Sequence, residues 1–142
     1  MTNSLHLEVV TPARAVLSEK VEEVVLPGAD GQLGILPGHI PLITALNIAE
    51  MIIKVDGKAR TFVVDGGFAE IRDDRITVLT EGCEGVDEID IEHARQLLHD
   101  AETELSLLEE RAQKETVEED LMEHHRKMIQ RARVRLLAGD KK

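Results

Sequence analysis

The residues able to do covalent or acid–base chemistry are few and do not cluster. Cys83 is the single cysteine, and the serines are Ser4, Ser18 and Ser106. None of the three serines lies in the Gly-x-Ser-x-Gly turn that lifts a nucleophile above a strand end. A Cys83–His39 nucleophile and base is the remaining enzymatic reading, and spacing gives it little weight. The six histidines suggest no metal centre. His93 and His99 point to different helix faces, His124 and His125 are adjacent, and neither Cys-x-x-Cys nor His-Glu-x-x-His occurs. The two adjacent histidines read as packed or hydrogen-bonded side chains at a helix seam. The most distinctive stretch is LPGADGQLGILPGHIPLIT, Leu26–Thr44. It is Gly-rich like a phosphate cradle, but a Walker loop follows its last glycine with Lys and a hydroxyl. Here Ile35 follows Gly34, and Gly28, Gly31 and Gly34 recur every three residues, not as Gly-x-Gly-x-x-Gly. Asp30 is one acid in a short loop, too few for calcium. Glycine permits positive φ and Pro27, Pro37 and Pro41 fix turns, so the stretch reads as compact backbone on the rim of a sheet. No catalytic residue and no metal site are expected.

Composition narrows the partners. The 142 residues suit one compact domain, or a small domain with an appendage. There is no Trp or Tyr, and Phe62 and Phe68 are the only aromatics, so the core must be aliphatic. Base-stacking platforms need aromatic rings, and a net charge of −11 repels phosphates, so no nucleic-acid partner is expected. The charge is uneven. Residues 1–80 sum to −4, 81–123 to −13 and 126–142 to +6. A basic end beside an acidic block suggests an acidic partner surface. A lone cysteine fits a reducing cytoplasm. MTNSLHLEVV lacks the pattern of a signal peptide, and no apolar run approaches a membrane span. No direct membrane insertion is expected; any membrane association must pass through a partner.

Two periodicities divide the chain. Up to Val86 it reads as short strands: Leu5, Leu7 and Val9 alternate, ARAVL and VEEVVL follow, and EMIIKV turns through Asp56-Gly57 into KARTFVV. Asp-Gly between apolar runs is the favoured two-residue hairpin turn. Gly66-Gly67 leads into FAEI, and Asp73-Asp74 turns into RITVLT. This spacing predicts an antiparallel sandwich or barrel. From Asp87 to Ala138 there is neither Gly nor Pro, and Ile91, Ala94, Leu98, Ala101, Leu105, Leu108 and Ala112 form a helical stripe. Asp87 or Asp90 can cap it. A break at Gln113–Thr116, with Thr116 to Glu119 as a capping box, predicts a second helix from Val117 to Ala138. Its stripe is Val117, Leu121, Met128 and Ala132, with Met122, Ile129 and Leu136 alongside, and Gly139 ends it. A single long coiled-coil arm fits the same residues. The expected organisation is a β domain over 1–86, a helical hairpin over 87–138 and a short tail over 139–142. Burying alanine removes little apolar area, at about 25 cal/mol per Å², so the hairpin is expected to be held weakly.

The Gly/Pro stretch closely resembles the epsilon subunit of bacterial F-type ATP synthase (the delta subunit of mitochondria). That family carries Gly-x-x-Gly-x-x-Gly-Ile/Val-x-Pro-Gly-His-x-Pro-Leu-x-Thr. The matching residues are Gly28, Gly31, Gly34-Ile35, Pro37-Gly38-His39, Pro41-Leu42 and Thr44. LHLEVVTPARAVLS, VVDGGFAEI and RITVLTE extend the resemblance along the chain. It implies an α+β protein: an N-terminal ten-stranded antiparallel β-sandwich followed by a C-terminal antiparallel two-helix hairpin. It also implies a non-catalytic central-stalk subunit, peripheral on the cytoplasmic face of the bacterial inner membrane. The expected partners are the gamma subunit, the ring of c subunits and the alpha/beta catalytic head. The resemblance gives ring contact to Gly31, Gln32, Gly34, Pro37, Gly38 and His39; Gln32 stands where some relatives have Glu. It gives inhibitory contacts with the catalytic subunits to Arg126, Lys127, Arg131, Arg133 and Arg135. No cofactor is required. Some relatives bind regulatory ATP through Ile/Leu-Asp-x-x-Arg-Ala and two arginines; the corresponding residues are Asp90, His93, Arg131 and Arg135, with His93 in place of the arginine. Weak ATP binding or none is expected, because imidazole lacks the charge and donor fork of a guanidinium. The alternative reading is an adaptor that docks another multisubunit machine, such as RNA polymerase, through the hairpin.

Overall fold

The computed structural model describes residues 4–139. Residues 1–3, at the start of the MTNSLHLEVV segment, and 140–142 of the expected tail lie outside the described residues. Two compact units are present, one ending at Val86 and the other beginning at Asp87.

The first unit is built from eight strands. They are β1 (Leu5–Val10), β2 (Ala15–Val21), β3 (Glu23–Gly28), β4 (Gly31–Ile35), β5 (Leu42–Val55), β6 (Lys58–Arg72), β7 (Arg75–Leu79) and β8 (Cys83–Gly85). The order is β2-β1-β7-β6-β5-β3-β4, with β8 on β6. β2 runs almost directly into β3, yet β2 is first in that order and β3 next to last. The sheet therefore folds back on itself: the Glu22 amide bonds the Lys54 carbonyl, and Arg60 on β6 meets Glu19 on β2 at 2.7 Å. Branched residues fill the space enclosed. Leu5, Leu7 and Val9 pack in one cluster with Val24, Leu26, Met51, Ile53, Val64, Ile71, Ile76 and Val78. Phe62 is the only aromatic in that cluster.

Two sequence expectations are corrected. The sheet is not wholly antiparallel, because β1 pairs with β7 in parallel, His6 opposite Arg75 through Val10 opposite Leu79. Turn residues reveal how neighbouring segments pair, whereas β1 and β7 meet across most of the unit. The described strands number eight, not ten. β5 and β6 run 14 and 15 residues, pairing with each other from Leu42–Ile71 to Val55–Lys58 and skipping only Asn47 opposite Gly66. Each runs through the gap in pairing at Asn47 and Gly66, where a shorter reading would cut it in two. Gly67 beside that gap has to be glycine: its φ is +100°, and a Cβ there would strike the Leu79 carbonyl.

A short 3-10 turn, Val86–Glu88, spans the boundary, and the second unit continues as α1 (Ile91–Ala112) and α2 (Glu119–Gly139). Asp90 caps α1, its carboxylate accepting the His93 amide at 3.0 Å. The chain turns between the helices, so the hairpin and not the single arm is formed. Its antiparallel register is fixed by Arg133 on Glu102 at 3.5 Å and by Gly139 against Ile91. α2 starts two residues later than Val117, with the Glu118 carbonyl accepting the Leu121 and Met122 amides, so Thr116 is not its first cap. The buried stripe is Ala94, Ala101 and Leu108 against Met122, Ile129, Ala132 and Ala138. Leu121 is exposed and Met128 only half-buried, one position out of phase with the expected seam. Adjacent apolar pairs at 121–122 and 128–129 leave the phase open until the helix start is set.

Candidate functional site

The Gly/Pro stretch becomes a hairpin and a loop joined by β4. Gly28 opposes Gly31 across an Ala29-Asp30 turn. A Cβ on Gly28 would sit 2.6 Å from the Gly31 carbonyl oxygen, and Gly31 has φ +134°, so this turn requires glycine at both ends. The Ala29 amide donates to the Ala45 carbonyl at 2.9 Å and ties the turn to β5. Gly31, Gln32 and Gly34 lie on β4, exposed at the end of the strand order. Beyond Ile35 the chain enters a second turn, closed by the His39 amide on the Leu36 carbonyl at 3.2 Å. Pro37 presets the first corner and Gly38, at φ +88°, supplies the second, as a type II turn requires. The Gly38 amide donates to Asp74 Oδ1 at 2.7 Å, and His39 Nδ1 lies 2.6 Å from the Ile40 carbonyl oxygen. The six residues proposed from the sequence are thus divided, three on β4 and three in the turn after it.

What this region presents is uncharged backbone and side chain. From Gly31 to Ala49 there is no Asp, Glu, Lys or Arg. Leu36, Ile40 and Ile43 are 56, 73 and 70 % exposed. In a chain so acidic, an uncharged segment with three exposed aliphatic side chains stands apart from the rest of the surface. A second exposed pair went unnoticed in the sequence: Phe68 on β6 opposes Leu79 on β7, beside Val10 and Pro12. The available signal was phase, since Phe68 alternates with the buried Ala69 and Ile71.

The remaining candidates give no catalytic assembly. Cys83 lies on β8 opposite Val64 and packs against the core, while His39 belongs to the turn clamped by Asp74. Among the described residues, no group of three or more His, Cys, Asp or Glu is placed to hold a metal ion. On the hairpin, the Asp90 carboxylate is already engaged in capping, and His93 is exposed one turn on. Arg131 and Arg135 are half-buried on the C-terminal half of α2, which the antiparallel register brings alongside the N-terminal half of α1. Arg126 meets Glu119 at 2.7 Å and Glu123 at 3.5 Å; chiefly through its hydrogen bond to Glu119, its guanidinium is held above the ordinary value. Arg133 pairs across to Glu102, and Lys127 is exposed. The Arg133 pair joins the two helices.

A sandwich with an uncharged Gly/Pro rim and a C-terminal helical pair defines a class, and comparison with known proteins gives it a family. Residues 4–86 match the ATP synthase, Delta/Epsilon chain, beta-sandwich domain. The chain is 39% identical over 141 residues to the ATP synthase epsilon chain of Trichlorobacter lovleyi, covering 99% of this chain and 97% of that one. It is 53% identical over 96 residues to the epsilon chain of Nitratidesulfovibrio vulgaris, covering 68% and 72%. A chain of the Euglena gracilis mitochondrial ATP synthase, solved as an OSCP/F1/c-ring assembly, shares the fold at TM-score 0.73 and 20% identity, covering 94% of this chain and 80% of that one. The chain belongs to the delta/epsilon family of ATP synthase subunits.

Proposed function

We propose that this chain is the non-catalytic rotor subunit of a bacterial F-type, proton-translocating ATP synthase. Its sandwich grips the gamma subunit and seats on the ring of c subunits; its hairpin restrains ATP hydrolysis at the alpha/beta head. The carrying observation is similarity along 99% of the chain, hairpin included, to an ATP synthase epsilon chain. The uncharged, exposed turns around Gly31, Gln32, Gly34, Pro37, Gly38 and His39 suit the ring contact, because compact backbone allows close approach to a partner. The protein works as a peripheral subunit at the cytoplasmic face of the inner membrane, and no described helix is long and apolar enough to cross a membrane.

The hairpin acts as the brake when it leaves its folded form. Ala94, Ala101, Ala132 and Ala138 line its seam, so little apolar area resists opening. Opening breaks the Arg133–Glu102 pair, an exposed contact that contributes at most about 1 kcal/mol. Arg126, Lys127, Arg131, Arg133 and Arg135 then face acidic segments of the head. The test is reconstitution with the catalytic head: the full chain lowers hydrolysis, and a chain ending near Val86 does not. Equal inhibition by both removes the hairpin from regulation.

ATP binds this hairpin weakly or not at all, because His93 replaces a permanent guanidinium and Asp90 is occupied as a cap. Calorimetry on the full chain checks this; a micromolar constant lost in His93→Ala refutes it.

A further inference from the structure

The turn offered to the ring is not held by its own residues alone. Its internal bond, His39 amide to Leu36 carbonyl, is 3.2 Å, whereas the Gly38 amide is held by Asp74 Oδ1 at 2.7 Å across 36 positions of sequence. Asp74 sits in the two-residue β6–β7 turn, where Asp73 and Asp74 have φ of +51° and +59°. That conformation favours glycine, and Asp tolerates it better than most residues. It sets Asp74 where its carboxylate meets the Gly38 amide. The contact joins an element fixed in the sheet to a loop flanked by the exposed Leu36 and Ile40.

We propose that Asp74 is the positioning residue of the ring contact, its carboxylate accepting the Gly38 amide and holding the Leu36–Ile40 turn in its binding orientation. The proposal rests on the ring-contact reading above. A turn left free to reorient must be ordered when the ring binds, and that ordering weakens association. A charge-assisted hydrogen bond to a backbone amide is strong enough to prevent it.

Three variants isolate the carboxylate. Asp74→Gly removes the acceptor while favouring the positive φ, so the fold is not strained. Asp74→Asn keeps an oxygen acceptor. Asp73→Gly makes the same backbone change beside it, at a residue that does not bond Gly38. Affinity of the full chain is measured for detergent-solubilised c-ring and, separately, for gamma, with hydrogen exchange at the Gly38 amide. Asp74→Gly is expected to weaken ring binding about tenfold, leave gamma binding unchanged, and speed Gly38 exchange while core amides keep their protection. Asp74→Asn is expected to retain most of the affinity, and Asp73→Gly all of it. Ring affinity unchanged in Asp74→Gly, or reduced equally in Asp73→Gly, overturns the clamp. Ile40→Asp separates the two readings: if it abolishes ring binding while Asp74→Gly does nothing, the ring contact stands without the clamp. If Ile40→Asp also has no effect, the ring-contact reading falls and the clamp falls with it.

Discussion

Gly57 and Gly67 both have positive φ, but for different physical reasons. Gly57 is at +75° in the Asp56-Gly57 hairpin turn with open space around its Cα, so a side chain there meets only conformational resistance. Gly67 is at +100° with the Leu79 backbone where a Cβ would go. Gly57→Ala is expected to cost about 1 kcal/mol. Gly67→Ala must also displace a strand, and about 3 kcal/mol or more is expected. Urea titration of the two variants checks the contrast, and equal midpoints contradict it. The Asp56-Gly57 turn was legible because its chemistry is local. The reason for Gly67 was not, because the obstacle is a carbonyl on another strand. The Asp74 clamp was hidden in the same way: Pro37-Gly38 announces a turn, but nothing near it in sequence announces what holds the turn.

At the scale of the element, the helical pair depends on close approach. Ala94, Ala101 and Leu108 recur every seventh residue on α1, and the buried face of α2 includes Ala132 and Ala138. Ala101→Leu inserts volume into that seam and is expected to destabilise the hairpin by about 1–3 kcal/mol. In hydrogen exchange, amides of α1 and α2 should lose protection while those of β1, β6 and β7 keep theirs. Loss spread equally over both units argues against a separately opening hairpin. The stripe on α1 was readable from its steps of three and four as far as Leu108, whereas Ala112, its last expected member, is exposed. The phase of α2 was not, since Leu121 and Met122 compete for the seam and the start at Glu119 decides between them. The same limit applied to the sheet, where period-two alternation placed Leu5, Leu7 and Val9 inside but gave no sign that β1 lies parallel to β7.

For the whole molecule, the division at Val86–Asp87 separates two kinds of stability. The first unit encloses a cluster of branched and long aliphatic side chains from seven of its strands, and the second a narrow seam rich in alanine. Thermal unfolding of the full chain is expected in two steps, the helices first, followed by circular dichroism. A chain ending near Val86 should retain the later step alone at nearly the same temperature. A single shared transition, lost on truncation, contradicts this independence. The charge does not follow that division but is split within the second unit: most of the excess negative charge lies on residues 81–123 and its counterweight on 126–142, so folding the pair back brings acidic and basic halves side by side.

The parallel ladder between β1 and β7 also sets an order of assembly. β1 cannot take its place between β2 and β7 until residues 75–79 have emerged. Until then β1 has only β2 beside it, and an isolated two-stranded ribbon is marginal in water. Closure of the sheet is therefore a late, all-at-once event in the life of the nascent chain, and its rate should respond to changes at β7 as strongly as to changes at the amino-terminal strand.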